Sequence, residues 1–134
     1  MKVFISYRFT GEVVTELQNM LSEITKSLEI ATHESWHSML DETSFRQKNF
    51  TNKQIMDHSL TRLNDADVFL AVVKSDEKSE GMLVEIGYAI AKGKPFILAV
   101  KEGVKTTSIA QMANQVIVFK DLDELYEKLK TVRF

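Results

Sequence analysis

The segment Ser79-Glu80-Gly81-Met82-Leu83-Val84-Glu85-Ile86-Gly87-Tyr88-Ala89-Ile90-Ala91-Lys92-Gly93-Lys94-Pro95 lies between two apolar runs, Val68 to Val73 and Phe96 to Val100. Each run has the length and β-branched content of a buried strand. Between them fit a glycine-containing turn, a short helix and a Gly-Lys-Pro stop. The product is a strand–loop–helix–strand unit, the repeating step of a parallel α/β sheet. One residue is out of character. Glu85 falls about one turn into the helix, between Val84 and Ile86, and a carboxylate there points near the carboxyl end of the preceding strand. Open α/β sheets bind ligands at that end. The alternative for Glu85 is an ordinary surface glutamate favoured by the dipole of the helix's first turn.

Working outward, Val3 to Tyr7 reads as the first buried strand, followed by the loop Arg8-Phe9-Thr10-Gly11. From Glu12, apolar residues at Val13, Leu17, Met20, Leu21, Ile24 and Leu28 trace one face of an amphipathic helix. His33 to Met39 alternates loosely and reads as a second, edge-like strand. Asp41 to Phe50 is polar and reads as a loop over the site. Thr51 and Gln54 form a capping box ahead of a helix carrying Ile55, Met56, Leu60 and Leu63. Asp67 opens the third strand. After the fourth, Ser108 to Gln111 suggests a short capped helix. Val116 to Phe119 is a fifth strand, and Asp121 to Glu124 caps a last helix with Leu122, Leu125, Leu129 and Val132 on one face. Near-continuous apolar strands imply a sheet covered on both sides. Right-handed crossovers then give a three-layer, flavodoxin-like doubly wound parallel sheet of about five strands, within a single domain over residues 1–134. Pro95, the only proline, stands at a strand start, where its missing N–H costs least.

The 134 residues are 44% hydrophobic and 27% charged, ordinary values for a soluble domain. A formal net charge of −2 gives no general attraction to a nucleic-acid polymer or an acidic membrane. No cysteine is present, which excludes disulfides, thiol catalysis and Cys-based zinc sites. The apolar run at the N-terminus is too short for a signal peptide or a membrane span, so a cytoplasmic protein is expected. His33, His37 and His58 lack a metal-ligand spacing with a third partner, and no metal or other cofactor is expected. Neither a dinucleotide glycine fingerprint nor a Walker P-loop occurs.

Three stretches together resemble the nucleoside 2-deoxyribosyltransferase superfamily, which includes nucleoside 5′-monophosphate N-glycosidases. They are Ala66 to Val73, the pattern Ser79-x-Gly81-x-x-x-Glu85-Ile86-Gly87-Tyr88-Ala89, and Gly93-Lys94-Pro95-Phe96-Ile97-Leu98. The opening Val3-Phe4-Ile5-Ser6-Tyr7 is similar to that family's first strand and equally to the first strand of TIR-type NAD hydrolases, which share the fold. The resemblance spans the chain in element order and is specific across residues 66–98. It implies that Glu85 is a nucleophile attacking C1′ of a nucleoside or nucleotide. The base then leaves a glycosyl-enzyme ester, which water or a second base resolves. It implies that Tyr7 hydrogen-bonds and orients Glu85, and that relatives complete their sites in a homo-oligomer.

The resemblance also assigns a substrate-holding role to Ser79, where a serine rather than an aspartate goes with a phosphorylated substrate. The alternative is that Ser79 only caps the helix. Gly81 and the N–H groups after it form an anion-binding helix start. Arg8 offers a fixed charge, Gly11 lets its loop approach closely, and Ser108 resembles a serine that reaches a neighbouring subunit's phosphate. The sequence also departs from the family. An aspartate is usual on the helix before the third strand, as partner to the leaving base, and the matching position is Ser59. Asp57 is the candidate acid nearby, but it lies two residues away, roughly 200° around an ideal helix. Unless the register shifts there, it is a solvated surface residue. His58 is one residue away and needs the same shift. Met82 replaces the small or hydroxyl residue usual after the glycine. Trp36, Phe45 and Phe50 either stack on a base or simply cover the sheet. Two further readings stay open beside the glycosidase: a TIR-like NAD or nucleotide hydrolase, and a non-catalytic nucleotide-binding or interaction module.

Overall fold

The computed structural model describes residues 1–77 and 79–134. Five parallel strands form one sheet in the order β2-β1-β3-β4-β5. They are β1 (Lys2–Ser6), β2 (Glu34–Trp36), β3 (Val68–Val73), β4 (Phe96–Lys101) and β5 (Gln115–Phe119). The helices are α1 (Val14–Ile30), α2 (Glu42–Gln47), α3 (Asn52–Asp65), α4 (Glu80–Ala91), α5 (Thr107–Met112) and α6 (Leu122–Leu129), with a 3-10 turn at Ser38–Asp41. This is the three-layer doubly wound arrangement expected.

Strand periodicity divides the core into two halves. Val3 and Ile5 of β1 join Val68, Leu70 and Val72 of β3 against α1 and α6. Phe4 of β1 joins Phe69 and Ala71 of β3 and Phe96 and Leu98 of β4 against α3 and α4. Phe69 bridges this second half, with ring centroids 5.7 Å from Phe4 and 5.6 Å from Phe96. The central strands β1, β3 and β4 are buried on both faces, which is why they read as unbroken apolar runs. The order places β1 beside β3, with α1 leaving on one face of the sheet and α4 on the other. A crevice therefore opens at the carboxyl ends of β1 and β3.

Two local expectations are corrected. Residues 41–50 are not a polar loop but a 3-10 turn followed by α2. Glu42 pairs with the exposed Arg46 at i,i+4, Phe45 is buried, and Asn49 ends the helix at φ 51°. Six residues are too few to show a helical period. Near the C-terminus, α5 begins at Thr107, so Ser108 lies inside the helix rather than capping it, and its N-cap Thr106 makes no side-chain cap bond. The loosely alternating 33–39 segment contributes only three strand residues. The capping box is present: Thr51 Oγ1 accepts from Gln54 N at 3.2 Å, while Gln54 Oε1 accepts from Thr51 N at 2.8 Å.

That box fixes where α3 starts, and hence which α3 residues face the crevice. Thr51→Ala is expected to cost about 1 kcal/mol. Differential scanning calorimetry should register this as a lower Tm, by roughly 3–5 °C for a chain of this size.

Candidate active site

The crevice between β1 and β3 holds a cavity of about 840 Å³. Its floor is the end of β1, its walls come from α2, α3 and the first turns of α4, and Glu85 lines it. A second, smaller cavity of about 260 Å³ adjoins it over the ends of β3 and the loop before α5. Tyr7, Arg8, Ser79 and Met82 line both.

Glu85 is held by Ser6, whose hydroxyl donates to Oε1 at 2.6 Å. Burial pushes the Glu85 carboxyl up to about 7, and the Ser6 hydrogen bond opposes that rise without cancelling it. Tyr7 does not make the hydrogen bond to Glu85 that the family resemblance implies. Its hydroxyl instead pairs with Ser38 Oγ at 2.6 Å. The reason is strand parity. Ser6 shares a face with Phe4 and points toward α4, whereas Tyr7 follows Val3 and Ile5 and packs against the α1 half of the core. The alternation of Val3, Phe4, Ile5, Ser6 and Tyr7 already contained this distinction, so Ser6 was recoverable from sequence. Tyr7 still lines the cavity, and its hydroxyl is pushed above the usual tyrosine range, first by burial and in part by the charges of Glu42 and Glu85.

Asp57 lies outside the cavity. Its carboxylate pairs with Lys53 at 2.7 Å on the exposed side of α3. The register does not shift: Ile55, Met56 and Ser59 face the cavity, and Ser59 is buried there. His58 is also turned away, with Nε2 2.9 Å from Asp41 Oδ2. The same carboxylate oxygen accepts from Trp36 Nε1 at 3.2 Å, tying β2, the 3-10 turn and α3 together. Of the three aromatics, only Phe45 lines the cavity. Phe50 stacks behind it at 5.6 Å, and Trp36 covers Phe4 at 5.3 Å.

Ser79 is the N-cap of α4, accepting from Met82 N at 3.2 Å. A hydroxyl that accepts keeps its own proton to donate, so capping and ligand binding are compatible at Ser79. Gly81 lies in the first turn, where a Cβ would meet Met56 Cε at 3.6 Å, an ordinary contact. Arg8 carries the fixed charge expected of it, already balanced by Glu12 at 3.8 Å and by Glu77. Gly11 has φ +80°, and a Cβ there would meet Arg8 Nη2 at 2.8 Å. Gly11 thus makes room for the guanidinium to fold back over its own loop. Ser108 lines the smaller cavity, not the one containing Glu85. The sequence reading missed Glu42, which reaches the cavity from α2; its only signal was an i,i+4 pairing with Arg46 inside a segment read as loop.

Among the described residues, no group of three or more His, Cys, Asp or Glu side chains could hold a metal ion. His33 contacts Val132 O at 3.1 Å, and His37 is buried, its imidazole pushed down to about 4 mainly by burial. Among the described residues, no helix is long and apolar enough to cross a membrane.

The sequence model of the nucleoside 2-deoxyribosyltransferase family matches residues 7–122. The chain belongs to this family. Among solved structures, it is similar to the CMP N-glycosidase of Clostridium botulinum, with 20% identity, a TM-score of 0.70, and coverage of 96% of this chain and 97% of that one. It is also similar to the 2-deoxyribosyltransferase of Bacillus psychrosaccharolyticus, with 17% identity, a TM-score of 0.72, and coverage of 100% and 93%. A conserved protein from Enterococcus faecalis V583 shares 14% identity at a TM-score of 0.64, with 97% of each chain covered. At these identities the likenesses establish the shared fold. Comparison with curated proteins finds no match.

Glu85 binds a proton more tightly in the folded chain than in the unfolded one, because its folded value of about 7 stands above the ordinary 4.5. Its contribution to stability is therefore least unfavourable below about 4.5 and worsens as pH rises through 7. Glu85→Gln should raise Tm at pH 8 and leave it nearly unchanged at pH 4.5, a difference bounded by roughly 3 kcal/mol. Carboxyl ¹³C NMR titration should place Glu85 near neutrality, and Ser6→Ala should move it higher still by removing the bond that favours the anion.

Proposed function

We propose that this protein cleaves the N-glycosidic bond of a nucleoside 5′-monophosphate through a covalent glycosyl-Glu85 intermediate. The observation that carries this reading is the Glu85 carboxylate, held by Ser6 at 2.6 Å in the wall of a nucleotide-sized cavity at the sheet's switch point. Family membership and the printed activities of the two similar enzymes, a CMP N-glycosidase and a 2-deoxyribosyltransferase, support the same chemistry.

In the proposed reaction Ser6 holds Oε1 of Glu85, which leaves Oε2 as the attacking oxygen. A C1′–O bond forms as the C1′–N bond breaks, and the bonding pair departs with the base. The base takes a proton from solvent, since Ser59 offers a hydroxyl where a carboxylic acid is usual and a hydroxyl supplies a hydrogen bond rather than a net proton. Water then attacks C1′ of the ester, releasing sugar phosphate and restoring the Glu85 carboxylate. If a second base attacks instead, the product is a new nucleotide.

Phosphate fits at the start of α4. Ser79 has a hydroxyl proton left to donate, the twelve-residue helix lines the cavity from its start at Glu80 and Gly81, and Arg8 lines the same cavity. Arg8 must then exchange Glu77, its exposed partner, for the substrate. Assembly into a homo-oligomer belongs to the same reading and rests on the family resemblance, while a cytoplasmic setting rests on the short apolar run at the N-terminus.

The test is base release, followed by chromatography, from a panel of nucleosides, deoxynucleosides, their 5′-monophosphates and NAD. Wild type should release base, with the monophosphates preferred. Glu85→Ala should reduce release by a factor of about 10³ or more, as expected on removing a covalent nucleophile. The kcat/KM profile should rise with pH through an apparent pKa near 7, because only ionised Glu85 attacks. Full activity in Glu85→Ala would overturn the mechanism. Nicotinamide release from NAD alone would move the assignment to the TIR-like hydrolase. Nucleotide-dependent stabilisation without turnover would leave a binding module.

A further inference from the structure

The cavity contains a carboxylate for which the glycosidase reading has no use. Glu42 opens α2 and lines the cavity along with Phe45. The two are at i and i+3, neighbours on one face of the helix. A planar ring lying against Phe45 therefore presents its edge to Glu42. Arg46, on the solvent side, donates through Nε to Glu42 Oε1 at 3.2 Å, which orients the carboxylate and leaves Oε2 as the oxygen with open capacity. Glu42, Tyr7 and Glu85 line the same cavity. Glu80, the other glutamate lining the cavity, stands at the start of α4 with Ser79, on the side assigned to phosphate.

We propose that Glu42 selects the base, accepting a hydrogen bond from an exocyclic amino group and so favouring cytosine and adenine nucleotides over uracil and hypoxanthine nucleotides. This rests on the N-glycosidase reading for the placement of sugar and phosphate. A carboxylate is an acceptor only. The amino group of cytosine or adenine offers it a proton. Uracil and hypoxanthine carry a carbonyl oxygen at that corner, and two acceptors then face each other in a partly dry cavity, where an unpaired polar group is costly. The ring N–H of uracil (N3) or hypoxanthine (N1) sits one atom further round the ring than the amino group it would replace, so the base must shift in the cavity to offer it. A single free oxygen on Glu42 suits a single amino group. Ser59 adds a hydroxyl that donates or accepts, so it does not discriminate.

The experiment compares two matched pairs, CMP against UMP and AMP against IMP, on wild type, Glu42→Gln and Glu42→Ala, by base release and by titration calorimetry. Wild type should favour the amino member of each pair by about tenfold or more, the size expected of one charge-assisted hydrogen bond. In Glu42→Gln the preference should shrink to a few-fold, since an amide both donates and accepts, and Glu42→Ala should abolish it. Equal handling of both members by wild type overturns the proposal, as does a preference that survives in both variants. Binding separates this inference from the one beneath it. A CMP preference in binding that shrinks in Glu42→Gln and disappears in Glu42→Ala, with no turnover of any substrate, upholds the role of Glu42 while removing the glycosidase. Turnover without discrimination does the reverse. Failure of all four nucleotides to bind overturns it as well.

Discussion

The arrangement at the centre of this molecule depends on holding one largely desolvated carboxylate in a cavity wall by a hydrogen bond from Ser6. Desolvating an ionised carboxylate costs several kcal/mol even after relaxation. The Ser6 hydroxyl returns only part of that, which is why Glu85 stays shifted to about 7 rather than falling back toward 4.5. A serine is a restrained choice of partner. An arginine or lysine in its place would have stabilised the anion fully and drawn its electron density away from any attack. A neutral donor orients the group and leaves its basicity high, and a more basic oxygen is the better nucleophile. The accompanying loss of stability at neutral pH is of the kind that functional sites retain.

The rest of the fold makes that placement possible. Because β1 and β3 are adjacent, α4 can start over the end of β3 and set its second turn directly above the last residue of β1. The strands beneath are buried on both faces, so the end of β1 cannot swing away from the helix without opening the core. Ser6 and Glu85 are 79 residues apart in sequence and belong to different elements, yet their separation is fixed by packing that has nothing to do with either. A site built in this way on strand and helix ends is more exact than one carried on loops.

The parts of the molecule visible in the sequence were those with a long period or a strong local rule. Six-residue apolar strands, the stripe along α1 and the Thr51–Gln54 box each declare themselves within a short window. The Glu85 segment stood out because a charge interrupts an apolar helix between two such strands. What escaped was of two kinds. The segment at 41–50 is too short for a helical pattern, and its order comes from Phe45 docking under tertiary contacts. The partner of Glu85 escaped for a different reason. Tyr7 was favoured on resemblance, although the alternation along β1 puts Ser6 and not Tyr7 on the α4 side. The opposite outcome holds for Asp57. There the helical angle argued against the residue, and the unshifted register of α3 keeps it in solvent beside Lys53.

Charge balance around the crevice has a consequence for how an anionic ligand binds. Arg8 lines the same cavity as Glu85, but its guanidinium is shared with Glu12 and Glu77, and Lys74 is likewise drawn to Glu12 at 3.3 Å. These pairs are partly exposed, so each contributes little to stability by itself. Their effect is to hold Arg8 in place with its charge already balanced, while the shift at Glu85 follows from burial and the Ser6 hydrogen bond. On the proposed reading a phosphate arriving at Arg8 replaces Glu77 rather than neutralising a free cation. The field at Glu85 therefore changes less on binding than the charge of the ligand alone would suggest. On the proposed reading Glu85 then keeps its basicity in the complex, and that condition is what a covalent mechanism at this glutamate requires.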